Sequence, residues 1–546
     1  MIAPSTTTIV KRDCYPSPIL TIPAELLVSI LGFLDSRSLL RCCSVCHHFD
    51  LVIESYAELQ YNIELTLDGM VDGFPGNLSV SERLQILRNR RRAWYSLDWD
   101  QHLVVPMPGS CQAYELVGGV FAKTMSTGIG GNGSRHLITS WLPSTINSER
   151  VVVRKDIGLP TRDFAIDPSQ DLIALVQADD DDDFHFLLPG LLQVHLRTLS
   201  TNEPHPQAGS VVLRCAVMFP ITNAFIQIVD DVIGMMFWAE PQGPRITLWD
   251  WKSGKFLIVS LLSMSCQISL HYIVSQDRSS LQLPSGTWDF SFLSSRAYML
   301  TCTAGQGSIE IFTFADETRN DSTTASIGAL PVHVASLLLP PVLPGVHLMN
   351  MHTHTGPFAA RCPVGKPFAT ANHARIHVVS IQYARTGCLR LIDSPRFCLF
   401  VHNRTLMSYI HQRKERGGSA VTVPWNKWGP LQTQFMHQRE QFQWLRYVQG
   451  CRVVLPISYH VAGSTVQVLD FNVCRTKRQI FEEHTASSAD SCINTDGTHV
   501  GMGNIFQAPV ITLMPYRVLS RGELEEYNGV MIDDERLIGL KVRFHT

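Results

Sequence analysis

Phe225-Ile-Gln-Ile-Val229, Val232-Ile-Gly-Met-Met-Phe-Trp238 and Arg245-Ile-Thr-Leu-Trp-Asp-Trp251 are three short runs of strand-favouring side chains, parted by Asp230-Asp231 and by Ala239 to Pro244. Branched and aromatic residues between turn formers specify strands, and two tight turns in succession specify an antiparallel meander, here closed by Ser253-Gly254. The same order precedes it. Asp163-Phe-Ala-Ile-Asp-Pro-Ser-Gln-Asp-Leu-Ile-Ala-Leu-Val176 reads strand, turn, strand, and Leu191 to Thr198 supplies a third. It returns as Trp288 to Leu293, Ala297 to Cys302 and Ser308 to Phe312, so that the copies start at 163, 225 and 288, spaced by 62 and 63 residues. Trp444 to Val448, Cys451 to Leu455 and Thr465 to Phe471 make a further copy, and Gly529 to Val542 gives a last strand pair around Asp533-Asp534-Glu535.

A small meander can bury its faces only against its neighbours, so repeated copies imply stacked blades. A β-propeller is the closed solution, and the regular spacing favours it over β-sandwiches built from the same strands. Leu248-Trp249-Asp250-Trp251 ahead of Ser253-Gly254 resembles the last-strand signature of WD-repeat blades, although these copies are longer. The final pair has no third strand of its own. Val151-Val-Val-Arg-Lys-Asp-Ile157 is therefore expected to join the last blade and remove an exposed sheet edge. Residues 105–546 are read as one β-rich, propeller-like recognition domain.

The first hundred residues follow a different period. Pro23 stands where a first helical turn tolerates it, and Leu26, Leu27, Ile30, Leu31 and Leu34 follow at helical spacing. Asp35-Ser36 punctuates; a second helix carries Leu39, Leu40 and Cys43, and a third, from Val45 to Tyr61, carries Phe49, Val52, Ile53, Tyr56 and Leu59. A unit of about forty residues cannot hide so many large apolar side chains alone. Each one left in water forgoes roughly 1.5–3 kcal/mol, which points to a covering partner or domain.

The run Ile22-Pro23-x-x-Leu26-Leu27-x-x-Ile30-Leu31-x-x-Leu34, then Leu39-Leu40, then Val45-Cys46-x-x-Phe49, resembles the F-box pattern in order and distance; His47-His48 departs from it. The resemblance implies an α+β multidomain chain, with a three-helix F-box at 21–61 and a large all-β domain behind it. It also implies an adaptor-binding set of Ile22, Pro23, Leu26, Leu27, Ile30, Leu31, Leu34, Leu39, Leu40, Val45, Cys46 and Phe49. The implied partners are a Skp-family adaptor, through it a cullin, and a target protein held by the β-domain. The implied role is the non-catalytic substrate receptor of an SCF-type ubiquitin ligase; the alternative is an interaction scaffold whose helices pack intramolecularly. Phe290-Ser-Phe-Leu293, Thr355-Gly-Pro-Phe358, Trp425-Asn-Lys-Trp-Gly-Pro430, Trp444 to Gly450 and Val530 to Leu540 resemble landmarks of a large F-box family of mushroom-forming fungi.

Residues 1–20 are expected to be a flexible N-terminus and 62–104 a linker with a bracing helix that starts at Ser79 or Ser81 and carries Leu84, Leu87, Trp94 and Leu97. Arg88, Arg90, Arg91 and Arg92 on that helix are read as a solvated face rather than an import or nucleic-acid patch. With 45% hydrophobic and 17% charged residues and a net charge of −3, bulk electrostatics nominates no nucleic acid. The apolar stretch from His333 to Met349 is broken by Pro340, Pro341 and Pro344, and no run suits a secretion signal or a membrane span. Fourteen scattered cysteines suit reduced thiols, hence cytoplasm or nucleus.

Cofactor and metal sites are not expected. Gly128 to Gly133 spells G-x-G-x-x-G without the strand and helix that would make it a phosphate cradle. Cys42, Cys43, Cys46, His47 and His48 lie in an apolar helical pattern, and Asp179 to Asp183 reads as a solvated loop. His347, His352, His354 and Cys362 are assigned to a long loop, with His373 and His377 beyond it, at a spacing too irregular for a metal site. No nucleophile elbow, HExxH, P-loop or kinase signature occurs, so no catalytic residue is assigned, and the substrate-binding residues stay unknown.

Overall fold

Pro23 opens helix α1 (Ala24–Leu31): its carbonyl accepts from the N–H groups of Leu26 and Leu27, both at 3.1 Å. Asp35 caps α2 (Ser36–Cys43), its carboxylate accepting from the Ser38 N–H at 2.7 Å. The computed structural model describes residues 18–74, 76–99, 101–125, 133–144, 150–178, 190–217, 221–239, 243–259, 282–314, 331–359, 361–363, 365–387, 394–442, 445–460, 463–473, 492–524 and 527–541. The expected N-terminal stretch thus lies outside them up to residue 17, and Pro18–Thr21 form a short 3-10 turn.

The expected third helix is corrected to two. Tyr56 takes extended backbone (φ −109, ψ 116) and divides α3 (His47–Ser55) from α4 (Ala57–Leu67). Helix α5 (Val80–Ser96) begins with a reciprocal cap: Glu82 accepts from the Ser79 N–H at 2.7 Å, while the Ser79 hydroxyl accepts from the Glu82 N–H at 3.3 Å. The chain divides into two compact units, one of Met1–Asp68 with Pro75–Arg92, the other of Gly69–Phe74 with Ala93–Thr546. In the first, Leu27, Leu31, Leu39, Phe49, Ile53 and Leu59 form the core. The arginine run is more than a solvated face. Arg88 donates to Glu64 at 2.6 Å and Arg91 to Asp68 at 2.8 Å, pinning α5 to α4.

The second unit is six antiparallel meanders in chain order, a six-blade propeller arrangement. Blade 1 is Tyr114–Val117, Val120–Thr124, Leu137–Trp141 and Arg150–Arg154; blade 2 is Thr161–Asp167, Leu172–Gln177, Gly190–Thr198 and Val212–Val217. Blade 3 is Ile221–Val229, Val232–Ala239, Gly243–Asp250 and Lys255–Val259; blade 4 is Thr287–Ser294, Ala297–Cys302, Ser308–Thr313 and Val332–Leu338. Blade 5 is Val346–His354, Ile376–Arg385, Arg396–His402 and Thr433–His437. Blade 6 is built on Val448–Gln449, Arg452–Val454, Gly463–Asp470 and Tyr516–Leu524, with Cys492–Asn494 beyond. Helices α6 (Asn403–Arg416) and α7 (Trp425–Gln432) interrupt blade 5, and between them Val421–Val423 adds a parallel strand to blade 4.

The copies starting at 163, 225 and 288 are blades 2, 3 and 4, and the further copy is blade 6, although its Trp444 lies outside the described residues. The closing strand is corrected. Arg150–Arg154 pairs with Leu137–Trp141 as the outer strand of blade 1, not with the last blade, because Leu137 is matched to Arg154 in a hairpin of its own. Gly529–Ile532 and Leu537–Leu540 form a separate two-stranded hairpin.

Successive blades bury apolar faces on each other. Val117 and Ala122 meet Phe164 and Leu175; Val194 and Leu196 meet Met235 and Trp249; Met236 and Leu248 meet Phe290 and Tyr298. Ile309 and Ile311 meet Tyr383 and Phe397, and Val378 and Phe400 meet Val453 and Phe471. At about 25 cal/mol per Å² of apolar surface removed from water, these joints dominate the stability of the unit. The blade 3–4 joint has no slack. A Cβ on Gly234 would lie 2.6 Å from the Phe292 ring and 2.9 Å from Leu248. Gly234→Ala is therefore expected to destabilise the β-unit by about 1–3 kcal/mol in chemical denaturation; an unchanged midpoint would contradict the packing.

Candidate functional site

Two surfaces are candidates, one on each unit. On the helical unit, the residues assigned to adaptor binding fall into two groups. Leu27, Leu31, Leu39 and Phe49 are buried in the unit's own core. They shape the surface from beneath. Leu26, Ile30 and Val45 are exposed, at 57%, 47% and 68%, and Pro23 is also exposed. Ile22, Leu34, Leu40 and Cys46 are half-buried. Phe33, 91% exposed, and Leu51, 48% exposed, belong to the same outward set and were missed in the sequence. The signal for Phe33 is its position three residues beyond Ile30, which continues the Leu26–Ile30 row by a turn. Burial, the leading cause, pushes the Cys43 thiol up to about 11, which keeps it a protonated core group and a poor metal ligand.

On the β-unit the first strands of blades 1 to 5 run beside one another around the axis. The second or third residue of four of them repeats one device. Glu115, Asp163, Asn223 and Asp289 each accept a hydrogen bond from the next residue's own N–H, at 2.9, 2.8, 2.9 and 2.7 Å. In blades 2, 3 and 4 the residue follows a break in register, between Thr161 and Asp163, Ile221 and Asn223, and Thr287 and Asp289. An edge strand has N–H groups with no ladder partner, and the bulge turns a short acceptor side chain back to cap one of them.

Neighbouring blades join this level. Asp289 also accepts from the Thr353 N–H of blade 5 at 2.7 Å, and Arg446, leading into blade 6 at φ 67, donates both to Glu115 and to its second carboxylate oxygen. The result is an axial polar ring. Burial first, with Glu115 adding, pushes the Asp163 carboxyl up to about 7; burial does the same to Asp289 against the two N–H donors that hold it down. Burial first, then His352 and Arg446, lowers His354 to about 3 and leaves it neutral. Arg446 is committed to Glu115, and Arg162 donates to the Ile221 carbonyl at 3.2 Å, so neither guanidinium is presented to a phosphate.

The histidines assigned to a loop are corrected: His347, His352 and His354 lie on the first strand of blade 5. His377 lies on the second strand of that blade, within 3.1 Å of Asn403 Oδ1. Among the described residues no three His, Cys, Asp or Glu side chains gather as metal ligands. Gly128 to Asn132 and Asp179 to Asp183 lie outside the described residues. Ser336, His333 and Glu310 meet on blade 4, yet serine and carboxylate both address the same imidazole nitrogen, at 3.4 and 2.8 Å. A nucleophilic triad needs them on opposite nitrogens.

Residues 19–61 match the F-box-like family model. An F-box-like domain ahead of a six-blade propeller is the architecture of an F-box substrate receptor. No curated protein matches the chain. Among solved structures it is similar to Kluyveromyces lactis Hsv2, at 10% identity and TM-score 0.22, covering 38% of this chain and 57% of that one. It is similar also to the WD40 domain of SCAP from fission yeast, at 9% identity and TM-score 0.29, covering 74% and 90%. An uncharacterised Listeria monocytogenes protein is similar at 9% identity and TM-score 0.25, covering 67% and 95%. At these scores the likenesses add nothing to the strand pairing that defines the propeller.

The raised carboxyls give a pH dependence with a definite sign. Asp289 titrates near 4 when unfolded and near 7 when folded, so the folded chain binds its proton more tightly. Its contribution to stability is full below about pH 4 and is lost as pH rises through 7. Asp289→Asn should remove that slope, shifting the stability difference between variant and wild type in favour of the variant by up to about 4 kcal/mol from pH 4 to 8. A pH-independent difference in urea titrations would contradict the assignment.

Proposed function

We propose that the chain is the target-choosing subunit of an SCF-type ubiquitin ligase, docking a Skp-family adaptor through the helical unit and holding a target protein on the propeller. The observation that carries this reading is the outward apolar set, Leu26, Ile30, Phe33, Val45 and Leu51, on a unit that matches the F-box-like model. A small helical unit that already fills its own core has no structural use for these side chains in water. An adaptor's apolar groove accounts for them. Through that adaptor a cullin and the ubiquitin-transferring machinery would be reached, which places the work in cytoplasm or nucleus. The role is non-catalytic: recognition requires a rigid scaffold and an exposed face, and six blades supply both.

The competing reading is a scaffold whose helices serve only packing within the chain. Adaptor binding separates the two. In calorimetric titration of the full chain with a purified Skp-family adaptor, Leu26→Asp with Val45→Asp should weaken binding by about 100-fold or more, because both side chains are outward and the fold survives. Leu31→Asp, which buries a charge in the helical core, should instead melt that unit. If the wild-type chain does not bind the adaptor while its helices stay folded, the scaffold reading takes over.

A further inference from the structure

Among the described residues five of the joints in the ring are built on buried apolar clusters, and the joint between blade 6 and blade 1 is not. Among the described residues no strand of blade 1 pairs with blade 6 or with the last hairpin, and no buried apolar cluster spans the two blades. The contacts there are polar and directional. Arg446 donates through Nε and Nη2 to the two carboxylate oxygens of Glu115, the Tyr114 hydroxyl accepts from the Leu445 N–H at 2.5 Å, and Arg536 donates to the carbonyls of Pro143 and Leu142 at 2.7 and 3.4 Å. Arg536 reaches blade 1 past Gly119, where φ is +81 and a Cβ would come within 3.2 Å of its Nη1.

The hairpin that carries Arg536 is seated on blade 6. Ile532 donates its N–H to the Arg446 carbonyl at 2.9 Å and packs with Val454, Val466, Val468 and Leu519, alongside Trp94 and Leu97. Asp533 holds the Arg536 guanidinium at 2.7 Å and accepts from its backbone N–H at 2.8 Å, which fixes the arginine's direction. The free face of blade 6 is thus covered by the end of α5 and by this hairpin, while blade 1 is reached by a few side chains.

We propose that the hairpin Gly529–Leu540 is a clasp, and that the seam between blades 6 and 1 is where the ring opens while blades 2 to 5 stay assembled. Apolar joints resist opening over their whole area, whereas a seam of a few directional contacts is lost once its geometry is broken. Opening has a functional consequence. It parts Arg446 from Glu115 and breaks the axial polar ring at that point, so the clasp controls whether that ring is complete.

Hydrogen exchange of the full-length protein, read by mass spectrometry in denaturant well below the unfolding midpoint, tests this. Amides of Tyr114–Thr124, Arg452–Val454 and Gly529–Ile532 are expected to exchange roughly tenfold or more faster than those of Val232–Ala239 and Ala297–Cys302. Arg536→Ala should accelerate the seam by a further factor of roughly ten and leave blades 3 and 4 within about twofold. A single exchange rate across the β-unit, or equal acceleration everywhere, would overturn the proposal. Should Arg536→Ala fail to fold, the wild-type gradient decides alone.

Discussion

Blades 2 to 5 each carry two apolar faces, and neither face can be buried within the blade. That constraint dictates the ring. Trp249, Phe290, Tyr298, Tyr383, Phe397 and Phe435 are almost wholly enclosed, each contributing to a joint between two blades. A blade removed from the series would expose its aromatic side chains to water on both sides. Position therefore follows from burial, and the first strands are left facing the axis with an unpaired edge. The acceptors Glu115, Asp163, Asn223 and Asp289 answer that edge, so the axial polar ring is a by-product of the same geometry.

The helical unit solves the opposite problem. It is small, and it satisfies its core with Leu27, Leu31, Leu39, Phe49 and Ile53, while Arg88 and Arg91 tie α5 to α4 through Glu64 and Asp68. The Arg88 pair is partly exposed and modest, whereas Arg91, Glu64 and Asp68 are largely buried, so removing one partner there leaves a charge uncompensated. What remains outside includes Leu26, Ile30, Phe33, Val45 and Leu51. A unit that fills its own core and still presents five large apolar side chains has them free for something else to cover, which is the physical content of the adaptor-docking proposal.

The propeller was legible in the sequence where hairpins are tight. Blades 2, 3 and 4 each turn through Asp, Pro, Ser or Arg pairs between unbroken strands, so their period shows. Blade 5 was hidden because residues 355–375 part its first two strands and α6 and α7 part its last two, and blade 1 because its strands are only four or five residues long. The closing strand was misplaced because Arg150–Arg154 has strand character but no sequence mark of its partner. The axial ring was half visible: Asp-Phe recurs at Asp163-Phe164 and Asp289-Phe290, whereas Glu115 and Arg446 are 331 residues apart and meet only through closure. On the helical unit, spacing gave the apolar rows but not which row faces inward. Leu27 and Leu31 sit one position from Leu26 and Ile30, and only packing separates them.

The central claim is that the outward apolar set on α1 to α3 exists to be covered by an adaptor. Hydrogen exchange of the full chain with and without a saturating purified Skp-family adaptor measures this directly. The account predicts new protection confined to residues 22–55, with the blades unchanged. No change in that segment, or protection gained only in the propeller, would contradict it.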